Sequence, residues 1–265
     1  MEIPLSLNIH GNWRTALLQR LIATDFRAGY NRSGQRYLYH HHKDWNPGRE
    51  HMVEYFLDWL PELGIKPPEE IKLPEFSPDK LSPEKARELG LTSQPYLILN
   101  PGGSWPTKRW PTDKFASLAD KLLKETDLDL VLTGGPGDIE RNNQILKQIS
   151  AGQKKRLHNT AGKTSIADLM AIIAGAKFMV SGDTGPVHIA ALVMTPALTI
   201  FGPSDENLYR PYGTKKDYPI IVNKGLHCRP CGQHECPLGH HKCLKEIRSE
   251  TVFREIKEGL NERLF

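Results

Sequence analysis

The chain has 265 residues, 38% of them hydrophobic and 25% charged, with a formal net charge of +4. This composition is typical of a folded globular protein and excludes a disordered one, and the length allows one large domain or two modest ones. The mild positive charge fits an anionic ligand or a membrane surface without requiring either. Basic residues do not cluster with interleaved aromatic ones, which argues against nucleic acid as a partner.

The sequence predicts neither a secretory signal nor a membrane span. Residues 1–11 lack the basic stretch and apolar run of a signal peptide. The longest mostly apolar stretch, residues 189–201, is broken by Thr195 and Pro196 and is too short to cross a bilayer. We therefore expect a cytoplasmic protein, with peripheral membrane association as the closest contact with lipid.

The first third of the chain contains few regular patterns. Alternation of apolar and polar residues predicts a strand over 2–10, and apolar residues at helical spacing predict helices over 12–22 and 53–63. The histidine run at 40–42 has no further residues at metal-ligand spacing, so we expect a solvated or acceptor-facing loop there. Prolines between 67 and 78 indicate a connection between domains, followed by a short helix over 83–89.

From residue 95 onward, strands and helices alternate. The predicted strands are 96–100, 128–132, 156–159, 177–181 and 197–201, and the predicted helices are 113–125, 138–149, 166–174 and 186–193. Either Thr164 or Ser165 would cap the helix that begins at 166. Repeated strand–helix units of this length predict a doubly wound parallel sheet, in which ligands bind outside the carboxyl ends of the strands.

The strand that ends at 181 is followed by Gly182-Asp183-Thr184-Gly185-Pro186, and a helix begins at once. Glycine allows a ligand to approach the backbone closely, and the free N–H groups and positive dipole end of a helix bind phosphate. This segment therefore suits a diphosphate. An ordinary tight strand–helix turn is the alternative interpretation.

Other strand ends are also rich in glycine and polar residues. The loop after 96–100 carries Lys108, whose point charge suits a phosphate leaving group, although a solvated lysine braced by Trp105 and Trp110 is the alternative. Asp138 follows a Gly-rich turn and suits ribose hydroxyls, but we favour a helix N-cap for it. The fourth strand end is Phe201-Gly202-Pro203-Ser204. Because these ends converge on one crevice, we predict a nucleotide or sugar-phosphate site, without a Walker loop or dinucleotide fingerprint.

Three of these motifs together resemble glycosyltransferase family 9, the ADP-heptose:lipopolysaccharide heptosyltransferases. They are Asn100-Pro-Gly-Gly with Lys108 and Trp110-Pro111, Gly182-Asp-Thr-Gly-Pro-x-His188, and Phe201-Gly-Pro-Ser204. The resemblance implies an α/β, GT-B-like fold of two Rossmann-like, doubly wound domains, the N-terminal one incomplete. The implied parts are an acceptor-domain remnant over 1–64, a linker over 65–94, a nucleotide-sugar-binding domain over 95–248 and a C-terminal helix over 249–265.

The resemblance implies an inverting transfer of heptose from ADP-heptose to the lipopolysaccharide inner core, without a catalytic cofactor, at the cytoplasmic face of the inner membrane. Lys108 and Asp183 would stabilise the leaving group and the donor. The residues that would bind substrates are, on the donor side, Ser104, Thr184, Gly185, His188, Asp138 and Glu140 and, on the acceptor side, Arg36 and His51.

Members of the family also have a Gly-Asp turn after their first strand, and its Asp would be the general base. We find no counterpart in this sequence, so a catalytically inactive, nucleotide-sugar-binding fragment is the alternative function. An epimerase or hydrolase would need a carboxylate pair in the crevice, and Asp183 has no evident partner for one.

All four cysteines lie close together, at Cys228, Cys231, Cys236 and Cys243, with histidines between them. Closely spaced Cys and His residues in a cytosolic chain favour a structural zinc site. Two local disulfides and four free thiols are the alternatives.

Overall fold

The computed structural model describes residues 3–22, 24–48, 50–69, 76–91, 94–213 and 219–261. The chain divides into two units, Met1–Ile71 and Lys72–Phe265. Across the described ranges, every helix is too short or too polar to cross a membrane.

Within the described part of the first unit, three parallel strands form a sheet in the order β1-β2-β3. The strands are β1 (Ile3–Asn8), β2 (Thr24–Asn31) and β3 (His41–Asp44), and the helices are α1 (Trp13–Leu21) and α2 (Met52–Leu57), with 3-10 turns at Gln35–Leu38 and Leu60–Leu63. The predicted strand and first helix are confirmed.

Two predictions for this unit are wrong. The histidine run is not a loop, because His41–Asp44 pairs with β2 as a strand, and Lys43 binds Glu62 with an Nζ–Oε1 distance of 2.7 Å. Charged side chains are common on such edge strands, since they oppose pairing with other chains. The predicted helix over 53–63 ends at Leu57, and a 3-10 turn that contains Pro61 follows, because proline lacks the N–H that an α-helix interior requires.

Helix α1 packs on the sheet through Ala16 and Gln19, and the amide of Gln19 donates to the carbonyl oxygens of Ser6 and Ala28. Its large apolar side chains instead face solvent, with Leu18 60% exposed and Leu21 82% exposed. The core of this unit is aromatic and lies elsewhere, around Ala28, Tyr30, Tyr55 and Trp59. The exposed face of α1 is thus left without a partner from this core.

The described residues of the second unit form a six-stranded parallel sheet in the order β6-β5-β4-β7-β8-β9. The strands are β4 (Tyr96–Asn100), β5 (Asp129–Leu132), β6 (Leu157–Asn159), β7 (Phe178–Gly182), β8 (Ala197–Phe201) and β9 (Ile220–Val222). The first five were predicted within one residue, and β9 was not predicted. In this doubly wound order the direction of winding changes between β4 and β7, which is where such folds bind ligands.

Helices cover both faces of this sheet. They are α3 (Pro83–Glu88), α4 (Thr112–Glu125), α5 (Ile139–Gln148), α6 (Ile166–Gly175), α7 (Gly185–Leu192), α8 (Glu206–Tyr209), α9 (Lys242–Lys245) and α10 (Ser249–Asn261). Leu97 and Leu99 of β4 share a core cluster with α4, α5 and α10, whereas Ile98 shares one with α6 and α7. Since successive strand side chains point to opposite faces, helices lie on both sides, and the predicted α/β fold class is confirmed.

Candidate functional site

An open cleft of about 710 Å³ lies at the carboxyl ends of the strands in the second unit. Roughly 300–1,000 Å³ is usual for small-molecule sites. Segments that follow β4, β5, β6 and β7 line the cleft, and they include the predicted Ser104, Lys108, Asp138, Asp183, Thr184, Gly185 and His188. Convergence of these strand ends is what the doubly wound order requires, because β4 and β7 are neighbours at the switch point.

Lys108 and Asp183 form an ion pair in this cleft. The Nζ–Oδ2 distance is 2.6 Å, and the side chains are 19% and 5% exposed. The ammonium also lies 4.8 Å from the ring centroid of Trp105 and 5.9 Å from that of Tyr209, within reach of the cation–π attraction. The turn that carries Lys108 comes close to β7, since a Cβ at Gly182 would lie 2.7 Å from the carbonyl oxygen of Lys108.

Helix α7 points its amino terminus at the same place. Thr184 is its N-cap residue but does not cap it through the side chain, and Pro186 lies in its first turn. The first N–H groups of a helix carry a positive partial charge that attracts anions. His188, 48% exposed, has its Nε2 4.0 Å from Oδ1 of Asp183. Two sources of positive potential, the helix terminus and Lys108, therefore face one cleft.

A buried polar network supports this arrangement, and sequence reasoning missed it. Asn100 accepts from the Thr133 hydroxyl at 3.1 Å and donates to the Ser181 and Thr184 hydroxyls at 3.0 and 3.2 Å. The network joins the ends of β4, β5 and β7. Buried polar groups need such partners, and polar residues at the ends of apolar strands were the available signal.

The two predicted ribose ligands lie in different surroundings. Asp138 lines the cleft, and its carboxylate accepts from the Gly135 N–H at 3.0 Å. It stands at the N-cap position of α5 without bonding to that helix, so the predicted capping bond serves the preceding turn instead. Glu140 is exposed on α5, 3.5 Å from the amide of Gln144.

The predicted acceptor-side residues lie in the first unit. Arg36 is exposed and donates to the Tyr37 hydroxyl at 2.7 Å, and this hydrogen bond raises the pKa of the guanidinium. His51 is 7% exposed and accepts from the Val53 N–H through Nδ1, as the N-cap of α2. His51 thus has a local structural role as a helix cap.

Comparison with known proteins settles the family. The model for glycosyltransferase family 9 (heptosyltransferase) matches residues 4–242. The chain belongs to glycosyltransferase family 9. It is 34% identical to lipooligosaccharide heptosyltransferase 2 of Campylobacter jejuni over 165 residues, which cover 62% of this chain and 50% of the relative. It is 30% identical to lipopolysaccharide heptosyltransferase 2 of Escherichia coli over 166 residues, 62% of this chain and 47% of the relative.

Solved structures of the same family show the same fold. ADP-heptose lipopolysaccharide heptosyltransferase II of Escherichia coli superposes with a TM-score of 0.79 at 23% identity, over 98% of this chain and 77% of that one. A family 9 glycosyltransferase from Veillonella parvula gives 0.80 at 22% identity, over 99% of this chain and 75% of that one. The chain spans about half the length of the curated relatives it matches. The predicted family and GT-B-like, Rossmann-like fold are confirmed.

In this family 9 chain the four cysteines line one small pocket of about 20 Å³, next to Thr107 and His241. Their sulfurs are free thiols. Burial, and then the three other thiols, raise the pKa of Cys243 to about 11, while the His241 N–H and neighbouring backbone groups lower the pKa of Cys236. Among the described residues, no three His, Cys, Asp or Glu side chains are arranged to hold a metal ion.

Proposed function

We propose that this chain transfers heptose from ADP-heptose to the lipopolysaccharide inner core, with inversion, and that the cleft of the second unit binds the donor. The observation that carries the proposal is the Lys108–Asp183 pair beside the amino terminus of α7. Family membership supports it, because the matched relatives are named heptosyltransferases. The alternative, a nucleotide-sugar-binding fragment without activity, rests on the lack of a counterpart for the family's Gly-Asp turn and on the length of chain matched.

The proposed chemistry needs positive charge where the diphosphate leaves. As the acceptor hydroxyl attacks the anomeric carbon, the bond from that carbon to the diphosphate oxygen breaks, the hydroxyl proton passes to solvent water, and negative charge grows on the departing ADP. Lys108 and the N–H group of Gly185 at the start of α7 would stabilise that charge without a cofactor. Asp183 cannot attract a diphosphate, since both are anions. We assign it to holding Lys108 and to facing positive charge on the sugar ring.

The remaining donor residues follow from their places in the cleft. We propose that Ser104, Thr184 and His188, which line the cleft, contact the diphosphate and heptose, and that Asp138, after the end of β5, binds the ribose. Glu140 is exposed outside the residues that line the cleft, so our proposal gives ribose binding to Asp138 alone.

Calorimetric titration with ADP, UDP and GDP tests the donor site. We expect saturable binding that prefers ADP and weakens in Lys108→Ala. Release of ADP from ADP-heptose in the presence of purified inner-core acceptor then tests transfer. Tight ADP binding without acceptor-dependent release would contradict the transferase proposal and favour the fragment. A folded chain that binds none of the three nucleotides would contradict the donor site itself.

On the acceptor side we propose Arg36 as the residue that meets the anionic inner core, because it is exposed and positively charged. His51 is the weaker proposal, since it is buried and caps α2. Arg36→Ala should raise the KM for the acceptor and leave ADP affinity unchanged. An unchanged KM for the acceptor would contradict the assignment of Arg36 to acceptor binding.

We further propose that the protein works in the cytoplasm and contacts the inner membrane through α1. The support is its exposed apolar face, where Trp13 and Leu17 are 48% and 51% exposed and Leu21 is 82% exposed, together with the positive charge of Arg14 and Arg20. Apolar insertion and basic residues both favour anionic bilayers. The chain should sediment with phosphatidylglycerol vesicles and Leu21→Asp should not. A chain that stays in the supernatant would contradict this contact and leave the face for a protein partner.

Structural zinc at the cysteines remains a proposal. The support is that all four thiols line one pocket with room for about one water-sized group. The sulfurs would have to draw together to reach Zn–S distances of about 2.3 Å. Elemental analysis of the purified chain, with Cys243→Ser as the comparison, tests it. We expect one zinc per chain, lost in the variant, and a metal-free wild-type chain that takes up no added zinc would overturn the proposal.

A further inference from the structure

Residues 228–243, here called the cysteine segment, contact the turn that carries Lys108. The Thr107 side chain is 5% exposed, and its hydroxyl donates to the carbonyl oxygen of Gln233 at 2.7 Å. The ring of His234 lies against Trp105, with centroids 3.5 Å apart. The turn at 105–109 is therefore bounded by the cleft and by the cysteine segment.

His241 of the cysteine segment contacts the peptide group that joins Thr107 to Lys108. Its Nε2 lies 2.8 Å from the carbonyl oxygen of Thr107, the residue before Lys108. A carbonyl oxygen only accepts, so Nε2 must carry the proton and donate. Both the neutral tautomer with the proton on Nε2 and the charged ring satisfy this bond. The contact consequently does not depend on whether the ring is charged.

The backbone of His241 is in an unusual state. With φ 51 and ψ 34 it occupies the left-handed region, which residues with a Cβ seldom adopt, although Asn, Asp and His do so more often than the others. Its N–H donates to the sulfur of Cys236 at 3.3 Å. Such a conformation persists only where the surroundings determine it. Here the bonds to Cys236 on one side and Thr107 on the other do so.

We propose that His241 is a positioning residue that holds the Lys108 turn in place and connects it to the cysteine segment. The inference rests on the proposed donor site, because its consequence is that Lys108 meets the diphosphate only when the segment is intact. His241 touches no substrate in this proposal. It acts through the carbonyl of Thr107, and a shift of that carbonyl would move Lys108 away from Asp183.

Two amide variants separate side-chain reach from backbone strain. Asn tolerates the left-handed region, so His241→Asn keeps the bond to Cys236, but its side chain is too short to reach Thr107. His241→Gln places an N–H donor near the position of Nε2. We expect His241→Asn to weaken ADP binding about tenfold, as for coupled residues in one network, and His241→Gln to recover most of it. His227→Ala is the matched control, because His227 is an exposed histidine directly before the cysteine segment.

A double-mutant cycle decides whether His241 acts through Lys108. The effect of His241→Asn on ADP affinity should largely vanish in a Lys108→Ala background, because the group it positions is gone. An equal loss in both backgrounds would show a general structural role and overturn the proposal. Equal affinity of the Asn, Gln and wild-type chains would overturn it as well.

A second measurement is independent of nucleotide binding. Acetylation by an N-hydroxysuccinimide ester, followed by mass spectrometry, reports how well Lys108 is held, with Lys66, 82% exposed, as the reference amine. Lys108 should react at least threefold faster in His241→Asn than in the wild type, and an unchanged rate overturns the inference. If neither the wild type nor any variant binds ADP, the proposed donor site is contradicted. The acetylation rates of Lys108 still test the role of His241 in that case.

Discussion

Replacing Asp183 by Asn should separate the two roles of the Lys108–Asp183 pair. In the absence of a donor, the carboxylate neutralises the ammonium across 2.6 Å, so a diphosphate must compete for the same cation beside a like charge. Two unit charges about 5 Å apart repel by about 3 kcal/mol at an effective dielectric constant of 20. Because the diphosphate can shift and water screens part of this repulsion, we expect a net gain of about 1 kcal/mol, or roughly fivefold tighter ADP binding.

Transfer should respond in the opposite sense. If the carboxylate faces positive charge on the sugar ring, its loss should lower kcat about 100-fold, as for other groups aimed at transition-state charge. Lys108→Ala is the matched comparison. It should weaken ADP binding by about 10-fold to 100-fold, the range for one hydrogen bond to a charged group. It should also destabilise the fold by about 3 kcal/mol, since Asp183 is 5% exposed and loses its cation.

Calorimetry of both variants with ADP, and urea unfolding of each, measure these effects. The reasoning fails if Asp183→Asn loses as much ADP affinity as Lys108→Ala while both remain folded. That result would mean that the carboxylate contributes to nucleotide binding directly, for example through a ribose hydroxyl, and not by holding Lys108.

Three further predictions concern packing and thiol chemistry. Gly182→Ala should weaken ADP binding about 10-fold to 100-fold. The added Cβ would lie 2.7 Å from the Lys108 carbonyl oxygen and would force that carbonyl to move. Trp110→Ala should lower the free energy of unfolding by about 3–5 kcal/mol, since Trp110 is 1% exposed and bonded to a backbone carbonyl. In chelator-treated chain at about pH 7.5, Cys236 should be alkylated faster than Cys243, because its pKa is lowered whereas burial raises that of Cys243 to about 11. Raising the pH toward 11 should bring the two alkylation rates closer together, because Cys243 then also becomes a thiolate.

Each of these predictions has a control within the chain. Gly152→Ala adds a Cβ in open space and should leave ADP affinity unchanged. Trp13→Ala removes a ring that is 48% exposed, so a loss of stability equal to that of Trp110→Ala would contradict the packing argument. Equal alkylation of both thiols at neutral pH, timed by mass spectrometry, would contradict the assigned environments of the two cysteines.

The second unit was predictable because its strands are buried on both faces and read as short apolar runs. Tyr96–Asn100 and Ala197–Phe201 coincide with their predictions. The strand Thr24–Asn31 was missed because Asp25, Arg27 and Gly29 interrupt its apolar pattern, and it is buried mainly at its carboxyl end. β9 has three residues, too few for any period to show. Burial on both faces is therefore the property that allowed these strands to be predicted from the sequence.

The site was predictable to the extent that its residues follow strands directly. Lys108 and Asp183 were expected to share one crevice, but the ion pair between them was not predicted from the sequence. Glu140 was expected in the site from the family resemblance, but on α5 its side chain is exposed to solvent. The hydrogen bonds of Asn100 could not be predicted from the sequence. Its partners Thr133 and Thr184 follow other strands, and only the folded sheet brings them close to Asn100.

The contacts between the cysteine segment and the Lys108 turn could not be read from local patterns at all. Thr107 and His241 are 134 residues apart in sequence, and neither lies on a periodic apolar face. A cluster of cysteines suggests a metal site, yet the contacts made by Gln233, His234 and His241 of this segment are with the turn that carries the proposed catalytic lysine. If those contacts hold the turn, damage to the segment should weaken donor binding before it unfolds the chain, because Cys243 is the one residue of the segment in the main core cluster of described residues.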